Sequence, residues 1–269
     1  MERLGHPGLD SGAPAHGAVV MAVGHVSRDV RRVCLALNTG ALAFRPGQHV
    51  LLSAGGLQPR PYAIASLPND PLLELHIQRR PTGLGAHAAE RMRVGDRAVI
   101  WGPVGRPFPL ENGGPILAAA DGAGLSAVGS AVLSVLGADA DRRVMLYVGA
   151  RAASDLYDER LLRWLTERCP NFMLHVCVRD GAAADLYRQM PLGSAIAADR
   201  PDLRGATVIA AGAPNMVAGV MSAARMLGAR PDRMVPMPFV PHEPYSRPHG
   251  FLTRWLGDIA RPWIASVAG

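Results

Sequence analysis

Lysine is missing from this chain of 269 residues: all 28 basic residues are arginine, dispersed among Ala, Gly and Pro. The net charge of +6 comes without a basic helix interleaved with aromatics and without a zinc knuckle, so no nucleic-acid surface is expected. An acidic protein partner fits the charge better. Cysteine is scarce too. Cys34, Cys169 and Cys177 have neither metal-ligand nor paired spacing, which points to buried reduced thiols and leaves no four-cysteine cluster site. No apolar run approaches the roughly 20 residues that span a bilayer, so no membrane span is expected. Residues 1–17 are rich in Gly, Pro and His and lack the apolar stretch of a signal peptide; we read them as a flexible N-terminal tail of a cytoplasmic protein.

What is present is enough apolar sequence, 49% of residues, for two domains that each bury a core. The pattern changes near residue 112. Over 18–112 short β-type segments (19–26, 31–37, 49–53, 62–65, 72–79 and 97–101) are punctuated by turns, with one helical interruption at 84–92. Six such strands predict a small antiparallel barrel. Over 113–240 strands at 116–120, 144–149, 172–178, 208–211 and 234–239 alternate with helices at 124–136, 156–168 and 215–227, the signature of a doubly wound parallel sheet. Residues 241–269 form a C-terminal extension with an amphipathic stretch around Phe251, Trp255 and Leu256. A helix packed back on the domain, a docking segment and an interfacial anchor all remain open for it.

Four features carry chemistry. Arg60-Pro61-Tyr62-Ala63 puts an arginine and a tyrosine two apart on one strand, hence on one side, which suits a flavin nucleotide: a fixed cation for the pyrophosphate and a flat ring for the ribose or isoalloxazine. Gly83-Leu84-Gly85-Ala86 opens a helix whose free amides suit a pyrophosphate, which favours FAD over the shorter FMN. Asp121-Gly122-Ala123-Gly124 is a glycine-rich turn between strand and helix, the general phosphate cradle of the doubly wound fold. Arg151 and Arg179 stand at strand C-terminal ends, where open sheets bind ligands. Ser126 lies near glycines, but Gly124-Leu125-Ser126-Ala127-Val128 lacks the second glycine of a nucleophile elbow.

The order of these motifs resembles the ferredoxin-NADP reductase superfamily, over residues 18 to 240, in the style of the reductase components of bacterial oxygenase systems. The flavin motif Arg-x-Tyr-Ser/Thr is similar to Arg60-Pro61-Tyr62-Ala63, the flavin-phosphate segment to Ile77-Gln78-Arg79 leading into Gly83 to Ala86, and the barrel-closing Gly-Pro-x-Gly to Gly102 to Gly105. The nicotinamide motif Gly-Gly-Thr-Gly-x-x-Pro is similar to residues 121–127, and Cys-Gly-x-Pro-x-Met to Ala211-Gly212-Ala213-Pro214-Asn215-Met216.

The resemblance implies a reductase that takes hydride from NADPH or NADH on noncovalent FAD and passes electrons to a separate ferredoxin or iron–sulfur oxygenase component, with no acid–base residue. It places FAD on Arg60, Pro61, Tyr62, Ala63, His76, Ile77, Gln78, Gly83, Gly85 and Ala86, with His87 as an added donor. It places the nicotinamide nucleotide on Gly122, Ala123, Gly124, Arg151, Arg179, Ala211, Gly212, Pro214 and Met216, with Phe239 covering the flavin ring. The two arginines lean the choice towards NADPH. Ala63 and Ala86 replace hydroxyl residues, Asp121 a glycine and Ala211 a cysteine. These departures leave a second reading open, a subunit for electron transfer or scaffolding without NAD(P)H turnover.

Overall fold

The computed structural model describes residues 12–180 and 187–239. Its first half is an antiparallel barrel of β1 (Ala15–His25), β2 (Val30–Leu37), β3 (His49–Ala54), β4 (Arg60–Ala63), β5 (Leu73–Gln78) and β6 (Arg97–Val104), in the order β4-β3-β6-β1-β2-β5. The strands form because apolar residues recur at every second position: Val33, Leu35 and Leu37 on β2 and Leu73, Leu75 and Ile77 on β5 face one shared core. β1 starts at Ala15, paired with Trp101 on β6, ahead of the barrel edge expected at Ala18.

The barrel is closed by one rung. β4 pairs with β3 over its whole length, but between β4 and β5 the only bridge is Ile64↔Leu75, backed by the Ala65 N–H donating to Glu74 O at 2.8 Å. From there towards Arg60 on one strand and Gln78 on the other, the two edges share no rung. The barrel therefore has an open seam.

Helix α1 (Gly83–Glu90) follows β5 and sends Leu84 and Ala88, with Met92 beyond it, into the barrel core. Arg31 on β2 fixes the other end of this helix: its Nη1 donates to Ala88 O at 2.5 Å and Ala89 O at 3.0 Å, and its Nη2 to Met92 O at 3.0 Å. A buried guanidinium thus satisfies carbonyls that a helix end leaves without partners.

The second half runs β7 (Ile116–Asp121), α2 (Gly124–Ala138), β8 (Val144–Ala150), α3 (Glu159–Arg168), β9 (Phe172–Val178), α4 (Leu192–Asp199), β10 (Thr207–Gly212), α5 (Pro214–Met226) and β11 (Met234–Pro238). The five strands are all parallel, in the order β11-β10-β7-β8-β9. α2 and α3 cover one face, on Ile116, Leu146 and Ile209; α4 and α5 cover the other, on Leu117, Tyr147 and Val208. β7 and β10 are buried on both faces, hence their unbroken apolar runs.

The barrel followed by a doubly wound sheet agrees with the sequence reading; within the sheet half two local features differ. α4 was not expected. Its apolar contacts, Leu192, Ala195 and Ile196, span a single turn, and its placement comes from Gly193, where a Cβ would stand 2.7 Å from the backbone of Gly219 on α5. α3 begins at Glu159, later than the 156 expected, because Asp158 takes a left-handed φ of 57° and Tyr157 is drawn into the domain interface.

That interface is one continuous apolar core. Val30 and Phe108 of the barrel sit in the same cluster as Ile116, Val128 and Val148 of the sheet. Ser130 Oγ donates to Ser66 O at 2.8 Å across it.

Replacing Arg31 by Leu orphans three buried carbonyls. We expect a loss of roughly 2–4 kcal/mol, read as a lower urea midpoint with an unchanged slope.

Candidate cofactor cleft

The order of the parallel sheet reverses between β7 and β10, and the crevice outside the carboxyl ends of these strands is where such sheets bind ligands. Here that crevice is a cleft of about 990 Å³ shared by both halves of the molecule. The barrel contributes Asp29, Val30, Gln78 and Arg80; the sheet contributes Gly122, Ala123, Arg151, Arg179, Pro214 and Phe239.

The glycine turn is built for close approach. Gly122 has φ +50°, and a Cβ on it would stand 3.2 Å from Gln78 Oε1, so the barrel reaches the turn directly. Gly124 begins α2, where a Cβ would lie 2.0 Å from Ala211 O; only glycine lets this helix sit so near β10. Ser126 is buried and its hydroxyl donates to Ala123 O at 2.7 Å, a local helix-start bond.

Asp121 ties the two central strands together. Its Oδ1 accepts the Ala213 N–H at 2.8 Å and fills the space beside Gly212, where a Cβ would lie 1.8 Å away and φ is +140°. Burial pushes the Asp121 carboxyl up, against the pull of the Ala213 N–H and of the nearby Arg179 charge. Gly212 O in turn accepts the Phe239 N–H at 2.7 Å, which sets Phe239 at the cleft, half-buried.

Arg151 and Arg179 are exposed, at the ends of β8 and β9. Arg151 Nε lies 3.4 Å from Asp155 Oδ2. The Arg179 N–H donates to Ala150 O at 3.2 Å and Arg151 O at 3.1 Å, so the two strand ends are held side by side. Pro214 opens α5 and Met216 is half-buried beside it; both line the cleft. Ala211 is fully buried and its side chain belongs to the sheet core.

The barrel residues divide. Gln78 enters the cleft, whereas the Ile77 side chain is fully buried in the barrel core. The His76 ring is buried in the domain interface, bonded to Glu74 and Tyr157. Arg60, Pro61, Tyr62 and Ala63 make β4 at the seam, half-buried and outside the cleft lining. Tyr62 packs on the barrel core; burial pushes its phenol up while the charges of Arg60 and Arg80 oppose the shift. Arg80 therefore joins the two places, since it also lines the cleft and its Cγ lies 2.9 Å from the position of a Cβ on Gly85.

Sequence reasoning missed Arg80, although its spacing of two from Gln78 on an outgoing strand was the available signal. Gly83 has φ +72°; Gly85 cannot carry a side chain because Gln78 O would be 2.9 Å from its Cβ. α1 has no side-chain N-cap and no acid in its first turn, which leaves its leading amides open to an anion. Ala86 and His87 are half-buried, and the His87 ring packs over Gly55. An open seam with unshared strand edges, flanked by arginines and a bare helix start, fits a long dianionic nucleotide such as FAD. The cleft beside it fits a second nucleotide.

All three cysteines are free thiols, and Cys177 lines the cleft. Among the described residues no His/Cys/Asp/Glu group could hold a metal ion. No described helix is long and apolar enough to cross a membrane.

Comparison with known proteins agrees with this geometry. Residues 18–108 match the family model for the oxidoreductase FAD-binding domain. The chain is 30% identical to the ferredoxin–NAD(P)(+) reductase component of the naphthalene 1,2-dioxygenase system of Pseudomonas putida, over 82% of this chain and 68% of that protein. It is 32% identical to the reductase subunit of an aromatic O-demethylase from Amycolatopsis, over 83% and 69%. Among solved structures it superposes on an Amycolatopsis cytochrome P450 reductase with a TM-score of 0.79 and 31% identity, over 89% of this chain and 72% of that one. A ferredoxin reductase in carbazole 1,9a-dioxygenase gives a TM-score of 0.73 at 25% identity, over 84% and 69%.

Gly212→Ala meets both a left-handed φ and the Asp121 carboxylate. We expect it to cost roughly 2 kcal/mol or more, and about half as much in an Asp121→Gly background, where the clash with the carboxylate is gone and only the main-chain oxygen of residue 121, 3.0 Å from the Cβ, remains. Urea midpoints of the four proteins measure this; equal costs in both backgrounds would refute the contact.

Proposed function

Because the chain belongs to the ferredoxin-NADP reductase superfamily, with reductase components of oxygenase systems among its relatives, we propose that its seam holds FAD and its cleft the nicotinamide nucleotide. The protein is an FAD-dependent NAD(P)H oxidoreductase that passes electrons to a separate redox partner such as an iron–sulfur protein. The observation that carries the assignment of the sites is that Gln78 and Arg80, on the β5 side of the seam, also line the cleft.

The chemistry itself, two electrons taken as hydride and given up singly, belongs to the flavin. The residues bind and orient. Arg60 and Arg80 neutralise the FAD pyrophosphate together with the open amides of α1, for which Gly83 and Gly85 clear the approach. The main-chain edges of residues 60–63 and 76–78 offer donors and acceptors along the seam, and stand in for the hydroxyls that Ala63 and Ala86 lack. The turn of Gly122, Ala123 and Gly124 takes the nicotinamide pyrophosphate. Pro214, Met216 and Phe239 line the cleft and would border the pyridine ring there, with Phe239 helping to exclude water. Arg151 and Arg179 take the adenosine ribose and its 2′-phosphate, which favours NADPH. A cytoplasmic place of action goes with this reading, since reduced nicotinamide nucleotides are its substrates.

Anaerobic titration of the purified yellow protein with NADPH and with NADH tests this. We expect stoichiometric bleaching of the flavin absorbance, with the tighter endpoint for NADPH. A yellow protein that neither nucleotide bleaches would refute the reductase reading. Arg60→Ala is expected to weaken FAD binding about tenfold or more, as the loss of a charge-assisted contact does, measured by flavin fluorescence on dilution.

A further inference from the structure

We infer that Glu74, His76 and Tyr157 form a relay of ordered protons that pins the glycine turn of the sheet to the barrel, which makes Tyr157 a positioning residue for the nicotinamide nucleotide. The inference rests on the assignment of that nucleotide to the turn at Gly122.

The proton order follows from the partners. The Tyr157 hydroxyl lies 3.1 Å from Gly122 O and 3.1 Å from His76 Nδ1. A carbonyl has no proton to give, so the single hydroxyl proton goes to Gly122 O, and the phenol oxygen must accept from Nδ1–H. On the other side of the ring, Nε2 stands 2.8 Å from Glu74 Oε1. Burial works against the charge of Glu74, but His76 and Arg32 outweigh it and hold the carboxyl below its ordinary range. An ionised carboxylate only accepts, so Nε2 donates as well. Both ring nitrogens are donors, and the ring is an imidazolium.

The charges around it balance. Arg32 Nε stands 2.9 Å from Glu74 Oε1 as an ion-pair contact, and Arg32 Nη2 donates to Asp158 Oδ1 at 2.6 Å. Two cations, Arg32 and His76 on the barrel, face two carboxylates, Glu74 on the barrel and Asp158 on the sheet. The His76 and Tyr157 rings meet edge to face at 5.4 Å. A partly buried ionic set paired in this way is tolerated, and removing one member leaves its partner uncompensated.

The consequence falls on the turn. A trans peptide carries its N–H opposite its C=O. With the Gly122 carbonyl accepting from the Tyr157 hydroxyl and from the Leu125 N–H at 3.3 Å, the Ala123 amide faces the other way, makes no main-chain hydrogen bond among the described residues, and is open to an anionic ligand. A Cβ on Gly122 would stand 3.2 Å from Gln78 Oε1, so a second β5 residue lies beside the same turn. The barrel that holds the flavin thereby sets where the second nucleotide sits.

The test uses the FAD-loaded full chain with NADP+ and NAD+ as probes, so that binding is read without turnover. In Tyr157→Phe, which keeps the ring and loses the hydroxyl, we expect FAD content to be unchanged and nucleotide dissociation constants from equilibrium dialysis to rise about tenfold. Adding His76→Gln to that variant should do little more, because the two act through one chain of bonds. Nitrogen-15 spectra of histidine-labelled wild type, with the His76→Gln variant assigning the signal, should show both His76 ring nitrogens protonated. Unchanged dissociation constants in a yellow Tyr157→Phe protein, or one bare ring nitrogen, would overturn the relay. Should Tyr157→Phe lose FAD, the nitrogen spectrum of the wild type decides alone. Should the wild type bind neither nucleotide, the site assignment fails, while the spectrum still decides the proton order.

Discussion

The barrel closes through one rung, Ile64↔Leu75, and the strands on either side of it part immediately. Every other feature of the site depends on that early end to the ladder. Backbone N–H and C=O groups on a sheet edge need partners. Where β4 and β5 diverge, the proposed flavin would supply the partner, and charge suited to it lies close by: Arg60 on one strand, Arg80 beyond the other, and a helix start with neither a side-chain cap nor an acid. A longer ladder would give a more stable barrel with nothing to bind.

The second constraint is that the two halves share one core. Val30 and Phe108 pack among the residues under α2, and the charged set of Arg32, Glu74, His76 and Asp158 seals the same boundary. This sets the seam beside the switch point of the parallel sheet, so the two proposed nucleotide sites adjoin. Within the sheet, Asp121 takes over what a glycine with free space does elsewhere: it bonds the Ala213 amide and occupies the room beside Gly212. The carboxylate that counts against phosphate binding in the sequence is thus largely spent on a structural bond.

Much of this was readable from residue order because it is local. Alternation of Val33, Leu35 and Leu37 defines a strand, and the unbroken apolar runs at 116–120 and 208–211 define central parallel ones. Glycines at 83, 122 and 124 mark turns whose φ values or close contacts demand them. The parts that escaped are those in which the partner is distant in sequence. His76 looks like one more strand residue facing a ligand, and nothing near it reveals that Tyr157 and Glu74 claim both its nitrogens. Ala211 sits in a recognisable motif, yet its side chain is taken by the core. α4 has one turn of apolar spacing, too short to register, and is held by the Gly193 contact with α5. Arg80 had the right spacing from Gln78 but was hidden in a run of turn residues.

Hydrogen exchange, followed peptide by peptide as each nucleotide is added in turn, tests the central claim most directly. FAD is expected to slow exchange at 60–63 and 83–86, and NADP+ added to the FAD-loaded protein then to slow it at 121–124 and 212–216. Protection by FAD that leaves the seam unchanged, or by NADP+ away from the turn at Gly122, would contradict it.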